Sequence, residues 1–133
     1  MRRILNPGIN LESSRRALEL ANRSLPVYAG VGIHPNEHVQ LGRETLRELR
    51  SLARETDVVA IGEIGLDYYR KTTPPSDQHR RFREQLDLAA ELELPVIVHC
   101  RNAHADAIGI ISAWQESGGT KVNAGVFHSF SGE

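Results

Sequence analysis

The sequence predicts a parallel α/β fold, and three observations carry that reading. Short apolar runs alternate with stretches whose apolar residues recur at helical spacing, and the alternation continues to the last residue. The runs are apolar on both faces, as strands of a parallel sheet covered by helices must be. Residues able to carry chemistry recur where the runs end, and in parallel α/β folds the carboxyl ends of the strands form the active-site face. At this level an open doubly wound sheet and a (β/α)-barrel look alike.

Ile4-Leu5 forms the first run, closed by Asn6-Pro7-Gly8, and a helical stretch from Leu11 to Arg23 follows with Leu11, Leu18 and Ala21 roughly on one face. Val27 to Ile33 reads as the second strand, ended by His34-Pro35. Glu44 to Glu55 sets Leu46, Leu49 and Ala53 at helical spacing, and Val58 to Gly65 reads as a buried strand. Thr73-Pro74-Pro75-Ser76 punctuates a loop, with Ser76 as N-cap of a helix from Asp77 to about Leu92 that carries Phe82, Leu86 and Ala89 on one side. Pro95 to Val98 is the fourth strand. Ala107, Ile110, Ile111 and Trp114 repeat at i, i+3, i+4 and i+7, an amphipathic helix ended by Gly118-Gly119, and Ala124 to Phe127 opens a fifth strand. Without a linker or low-complexity segment, residues 1–133 read as one domain or a piece of one.

Composition narrows the class. The chain has 133 residues, 40% hydrophobic and 25% charged, which is globular composition for about one domain. Sixteen Lys and Arg against seventeen Asp and Glu leave a net charge of −1, excluding a strongly basic domain that binds nucleic acid by bulk charge but not a local phosphate cleft. The single cysteine, Cys100, excludes an internal disulfide and fits a reducing compartment. No apolar run reaches the roughly 18 residues of a membrane span, and the apolar stretch after Met1-Arg2-Arg3 is too short for a signal peptide. The expectation is a cytoplasmic protein with no membrane partner.

His34 ends the second strand, Glu63 lies in the third, and His99 and His128 end the fourth and fifth. Period-two alternation puts Ile97, His99 and Arg101 on one face and Val96, Val98 and Cys100 on the other. Ile61, Glu63 and Gly65 likewise point together. If that face lines a barrel, Glu63, His99 and His128 converge, and imidazole with carboxylate suits zinc, manganese or magnesium. A carboxylate in an apolar strand must be neutralised, which a cation or a buried arginine would each do. Singly, His99 and His128 also fit hydrogen-bonded core histidines, and a histidine before proline, as at His34, often just ends a strand. His38, His79 and His104 read as solvated, and Arg80-Arg81-Phe82-Arg83 as the wet face of a helix. Asp67-Tyr68-Tyr69-Arg70 reads as a rim loop whose rings beside arginine either pack the loop, or stack on bases or hold a phosphate.

At these residues the sequence resembles the TatD family of metal-dependent hydrolases. The matching segments are Val31-Gly32-Ile33-His34-Pro35, Gly62-Glu63-Ile64-Gly65-Leu66-Asp67-Tyr68, Pro95-Val96-Ile97-Val98-His99-Cys100-Arg101 and Phe127-His128-Ser129-Phe130-Ser131-Gly132. The resemblance implies a (β/α)₈ barrel with two divalent metals and deoxyribonuclease activity. It implies that Glu63 bridges the metals, that His99 and His128 each bind one, and that His34 and Arg101 lie near the substrate phosphate. A metal-activated water attacking phosphorus is the implied reaction, with DNA as substrate.

Two departures stand out. The family's opening Asp-x-His-x-His strand and its late Glu-Thr-Asp-x-Pro segment have no counterpart here, and a complete barrel takes about 250 residues. Asn102 and Ala105 also stand where the family often carries acids, with Asp106 a partial compensation. The expectation is therefore an incomplete barrel, roughly strands two to six. Such a chain would have little activity alone and two open sheet edges able to mediate self-association. A deacylase acting on charged tRNA and a non-catalytic partial barrel are the competing classes. A dinucleotide fold is disfavoured, because no Gly-x-Gly-x-x-Gly follows a strand.

Overall fold

The computed structural model describes residues 4–23, 27–37, 42–70, 73–117 and 126–128. Through these run β1 (Ile4–Pro7), α1 (Leu11–Arg23), β2 (Val27–Val31), α2 (Arg43–Ala53), β3 (Val58–Asp67), α3 (Pro75–Leu92), β4 (Val96–Arg101), α4 (His104–Glu116) and β5 (Val126–His128). Each strand pairs in parallel with the next, in the sheet order β1-β2-β3-β4-β5. A doubly wound sheet reverses its order at a switch point; the described pairings contain no reversal.

One hydrophobic core joins all four helices to the sheet. Leu18 of α1, Leu49 of α2, Phe82 and Leu86 of α3 and Trp114 of α4 share a cluster with Val31, Ile64, Leu66, Val98 and Cys100. Since Ile64 and Leu66 face the helices, alternation turns Glu63, Gly65 and Asp67 to the opposite face. Sequential parallel strands with helices on one side form a barrel wall, so the open alternative is settled in favour of an incomplete (β/α)₈ barrel. Burial raises the Cys100 thiol above its ordinary range, consistent with a place inside that core.

Boundaries shift in an informative way. β3 and β4 continue through Gly65↔His99, Leu66↔Cys100 and Asp67↔Arg101, so Asp67 belongs to the strand and not to the rim loop expected of it. The apolar pattern stops before the ladder does, because the last polar residues line the open end of the sheet. Ser76 does not cap α3. The helix begins at Pro75, whose fixed φ suits a first turn, and Pro74 takes the N-cap position with no side-chain cap.

Gly65 makes the close approach of β3 to β4 possible. Its φ is +142°, and a Cβ there would lie 2.0 Å from the carbonyl oxygen of His99. Gly65→Ala combines that collision with backbone strain of about 1–3 kcal/mol. The expected result is a thermal midpoint lowered by roughly 5–10 °C in a circular dichroism melt; an unchanged midpoint would contradict this packing.

Candidate metal centre

Three of the sequence-derived residues meet at the carboxyl end of the sheet. His34 follows β2, Glu63 lies in β3 and His99 in β4, and one ligand atom from each falls within 4.8 Å of the others. Glu63 and His99 are each 6% exposed, so this is an interior site and not a surface cluster of charge. Glu63 Oε1 stands 3.5 Å from His34 Nε2 and 3.8 Å from His99 Nδ1. The two imidazole rings lie with centroids 4.4 Å apart.

The hydrogen bonds give the two histidines different characters. The Asn36 backbone N–H donates to His34 Nδ1 at 3.1 Å. In a neutral imidazole one nitrogen accepts and the other carries the proton, so His34 presents an Nε2–H toward Glu63. His99 is turned the other way. Its Nε2 donates to Asp67 Oδ2 at 2.9 Å, while its Nδ1 is buried and has no hydrogen-bond partner among the described residues. A buried polar atom without a partner is costly. A divalent cation between this nitrogen and the Glu63 carboxylate would give the nitrogen a partner and take the carboxylate as a second ligand, so the donor set fits a metal.

Asp67 organises the surroundings of His99. Besides that bond, Oδ2 accepts from Asn36 Nδ2 at 2.9 Å, and Oδ1 accepts from the backbone N–H groups of Tyr69 and Arg70 at 3.0 and 3.2 Å. Burial pushes this carboxyl up, but hydrogen bonds from His99, Asn36 and Arg70 outweigh it and hold the group below the ordinary carboxylate range. A carboxylate that orients a metal-binding imidazole is a recurrent outer-sphere device. The sequence carried its signal, since Asp67 shares a face with Glu63 and Gly65 at period two.

A polar stripe on α3 fixes both sides of the site. Gln85 Oε1 accepts from the Ile33 N–H at 2.7 Å and Gln85 Nε2 donates to the Ile33 carbonyl, directly before His34. Gln78 does the same for Asp67, with Oε1 accepting from its N–H at 2.7 Å and Nε2 donating to its carbonyl at 3.0 Å. Between them Arg81 donates to the Glu37 carbonyl at 2.9 Å and to the Pro35 carbonyl at 3.4 Å. Arg81 is therefore buried and not part of a wet face, a correction to the sequence reading of the Arg80–Arg83 run. Residues 78, 81, 82 and 85 recur at the i, i+3, i+4 and i+7 spacing of a single face. The charge of the run had assigned Arg81 to water.

The rim separates two neighbouring tyrosines. Tyr68 donates from its hydroxyl to Asp106 Oδ2 at 2.6 Å and bonds His79 Nε2, and burial with Asp106 pushes its phenol well above the ordinary range. His79 is thereby a bonded, partly buried residue and not a solvated one, a second correction. Tyr69 is 57% exposed, and the Arg101 guanidinium carbon sits 3.7 Å from its ring centroid. β5 brings His128 into register beside His99. The side chain of His128, and all of His38, lie outside the described residues.

A family model described as TatD related DNase matches residues 1–133. The chain belongs to the TatD family. Relatives named 3'-5' ssDNA/RNA exonuclease TatD include one from Citrobacter koseri, 41% identical over 129 residues, and one from Salmonella typhimurium, 36% identical. Each alignment takes in 97% of this chain and 48% of the relative, so the chain spans about half the length of these curated TatD proteins. The crystal structure of YJJV, a TatD homologue from Escherichia coli, superposes with a TM-score of 0.86 at 33% identity, covering 98% of this chain and 49% of that one. A TatD-family hydrolase from Entamoeba histolytica gives 0.76 at 28% identity, covering 87% and 42%. Among the described residues no helix is long and apolar enough to cross a membrane.

Proposed function

We propose that this chain carries the metal-binding wall of a hydrolase that cleaves phosphodiester bonds in single-stranded nucleic acid, DNA foremost. The observation that carries this reading is the unpartnered, buried Nδ1 of His99 facing the buried Glu63 carboxylate at the carboxyl end of a barrel sheet. The TatD relatives, named as single-stranded DNA/RNA exonucleases, supply the substrate class. Glu63 and His99 would hold the metal, and a carboxylate has two oxygens to offer divalent ions. His128 is assigned as a further ligand on its register beside His99, because register partners occupy the same face of a parallel sheet.

Divalent ions bound there, magnesium, manganese or zinc, would offset the charge on the attacking and leaving oxygens of the phosphodiester. The remaining work falls to side chains already in place. Asp67 orients His99 and keeps the proton on Nε2, leaving Nδ1 for coordination. His34 presents its Nε2–H to the same space, where it donates to a phosphate oxygen. Arg101 follows His99 by two residues on the same face, and no described carboxylate pairs with it, so its planar fork is available to the phosphate.

The test compares a labelled single-stranded oligodeoxynucleotide with an aminoacyl ester, each with manganese or with EDTA. It uses the 133-residue chain and, where the gene encodes residues on either side, the longer polypeptide. Slow, EDTA-sensitive cleavage of the oligonucleotide by the chain, faster in any longer form, is the expected result. Cleavage that persists in EDTA, or preference for the ester, refutes the phosphodiesterase reading.

A further inference from the structure

We propose that Tyr69, backed by Arg101, is a stacking platform for the terminal nucleobase of the strand held at the metal centre. This rests on the phosphodiesterase reading and adds a specific subsite to it. Of the two adjacent tyrosines, Tyr68 is committed by its hydroxyl to Asp106 and His79, whereas Tyr69 stands 57% exposed with no hydrogen bond from its side chain among the described residues. An exposed ring on a loop would ordinarily sample many orientations. This one rises from an anchored backbone and packs against a cation. The Tyr69 backbone N–H is bonded to Asp67 Oδ1 at 3.0 Å, and the Arg101 guanidinium lies 3.7 Å from the ring centroid.

The anchor ties the ring to the site. Asp67 bonds Tyr69 through one oxygen and His99 through the other, so a single carboxylate sets the platform against the metal ligand. Arg101 pairs in register with Asp67 and lies two residues, roughly 7 Å of strand, beyond His99. A cation covers one face of the ring and the ring is otherwise largely open. A base can therefore stack on the open face while the edge of the same guanidinium meets the adjoining phosphate. Every base has a π-face, so the platform accepts all four and prefers an unpaired end. The near-neutral net charge agrees, since affinity drawn from stacking needs no basic surface.

The test measures binding of a fluorescent, phosphorothioate-linked oligothymidylate in magnesium by anisotropy. Probes carry an abasic site at the 3' end, at the 5' end or at neither, and the proteins are wild type, Tyr69→Phe and Tyr69→Leu. Loss of one stacked base weakens binding by about 5- to 150-fold. The expected pattern is that Tyr69→Leu loses this factor on the intact probe, Tyr69→Phe keeps it, and a terminal abasic site abolishes the difference between wild type and Tyr69→Leu. Equal binding of intact probe by wild type and Tyr69→Leu overturns the platform while leaving the phosphodiesterase reading in place. Failure of wild type to bind any of the probes overturns both.

Discussion

Glu63→Gln is expected to abolish divalent-cation binding while leaving the metal-free protein folded. Glutamine preserves the shape of the side chain and one accepting oxygen for the His34 Nε2–H, which stands 3.5 Å from the native carboxylate. What it removes is the negative charge and the bridging capacity. Loss of an outer-sphere partner of a metal ligand typically costs 10–100-fold in affinity, and loss of the ligand itself should exceed about 100-fold. Wild-type protein at a cation concentration 100 times its dissociation constant gains about 2.7 kcal/mol of stability; a variant weakened by 100-fold or more gains about 0.4 kcal/mol at most. Paired thermal melts with and without manganese, supported by calorimetric titration, check this. A metal-induced shift that survives in Glu63→Gln would show that the cation binds elsewhere.

The second large effect belongs to Asp67. Asp67→Ala removes the acceptor for His99 Nε2, Asn36 Nδ2 and the Tyr69 and Arg70 N–H groups together, leaving His99 buried without a hydrogen-bond partner on either ring nitrogen among the described residues. Breaking a buried charged network of this kind costs about 3–5 kcal/mol, and metal affinity should fall with it by about 10–100-fold. The pH dependence has a definite sign. The folded-state pKa of Asp67 is lowered, so its ionised form stabilises the fold fully above the unfolded value of about 3.9. That contribution is lost as pH falls through the lower, folded-state value. The gap between wild type and Asp67→Ala in urea midpoints should therefore be constant from pH 7 to about pH 5 and should narrow below pH 4. A gap that widened in acid would contradict the role given to the carboxylate.

Most of the architecture was legible because the apolar pattern carries it. Leu11 to Arg23 and Val58 onward state their period plainly, and Glu63 and His99 betray themselves as polar residues in buried strands. What the pattern hid was polar structure doing interior work. Arg81 read as part of a wet face by the charge of its run, and nothing in the pattern singled out Gln78 or Gln85, yet all three share a helical face with Phe82 and end on backbone atoms beside the site. Asp67 lay past the last apolar residue of its strand and was assigned to the loop, although the β3–β4 ladder continues through it. The choice between barrel and open sheet was beyond periodicity, because both share the same local pattern and differ only in which strands become neighbours.

The grip of α3 on the two strand ends has a mechanical consequence. Gln85 and Gln78 bind the strand ends that deliver His34 and Asp67, so one rigid rod, 18 residues long, holds two halves of the centre at a common spacing. A shift of that rod along its axis would carry both halves together and preserve their separation. A tilt would lever them apart. Changes on the outer surface of the protein that tip α3, such as loss of the Arg50 to Glu91 pair that links it to α2, would thus reach the spacing between the two strand ends without touching either.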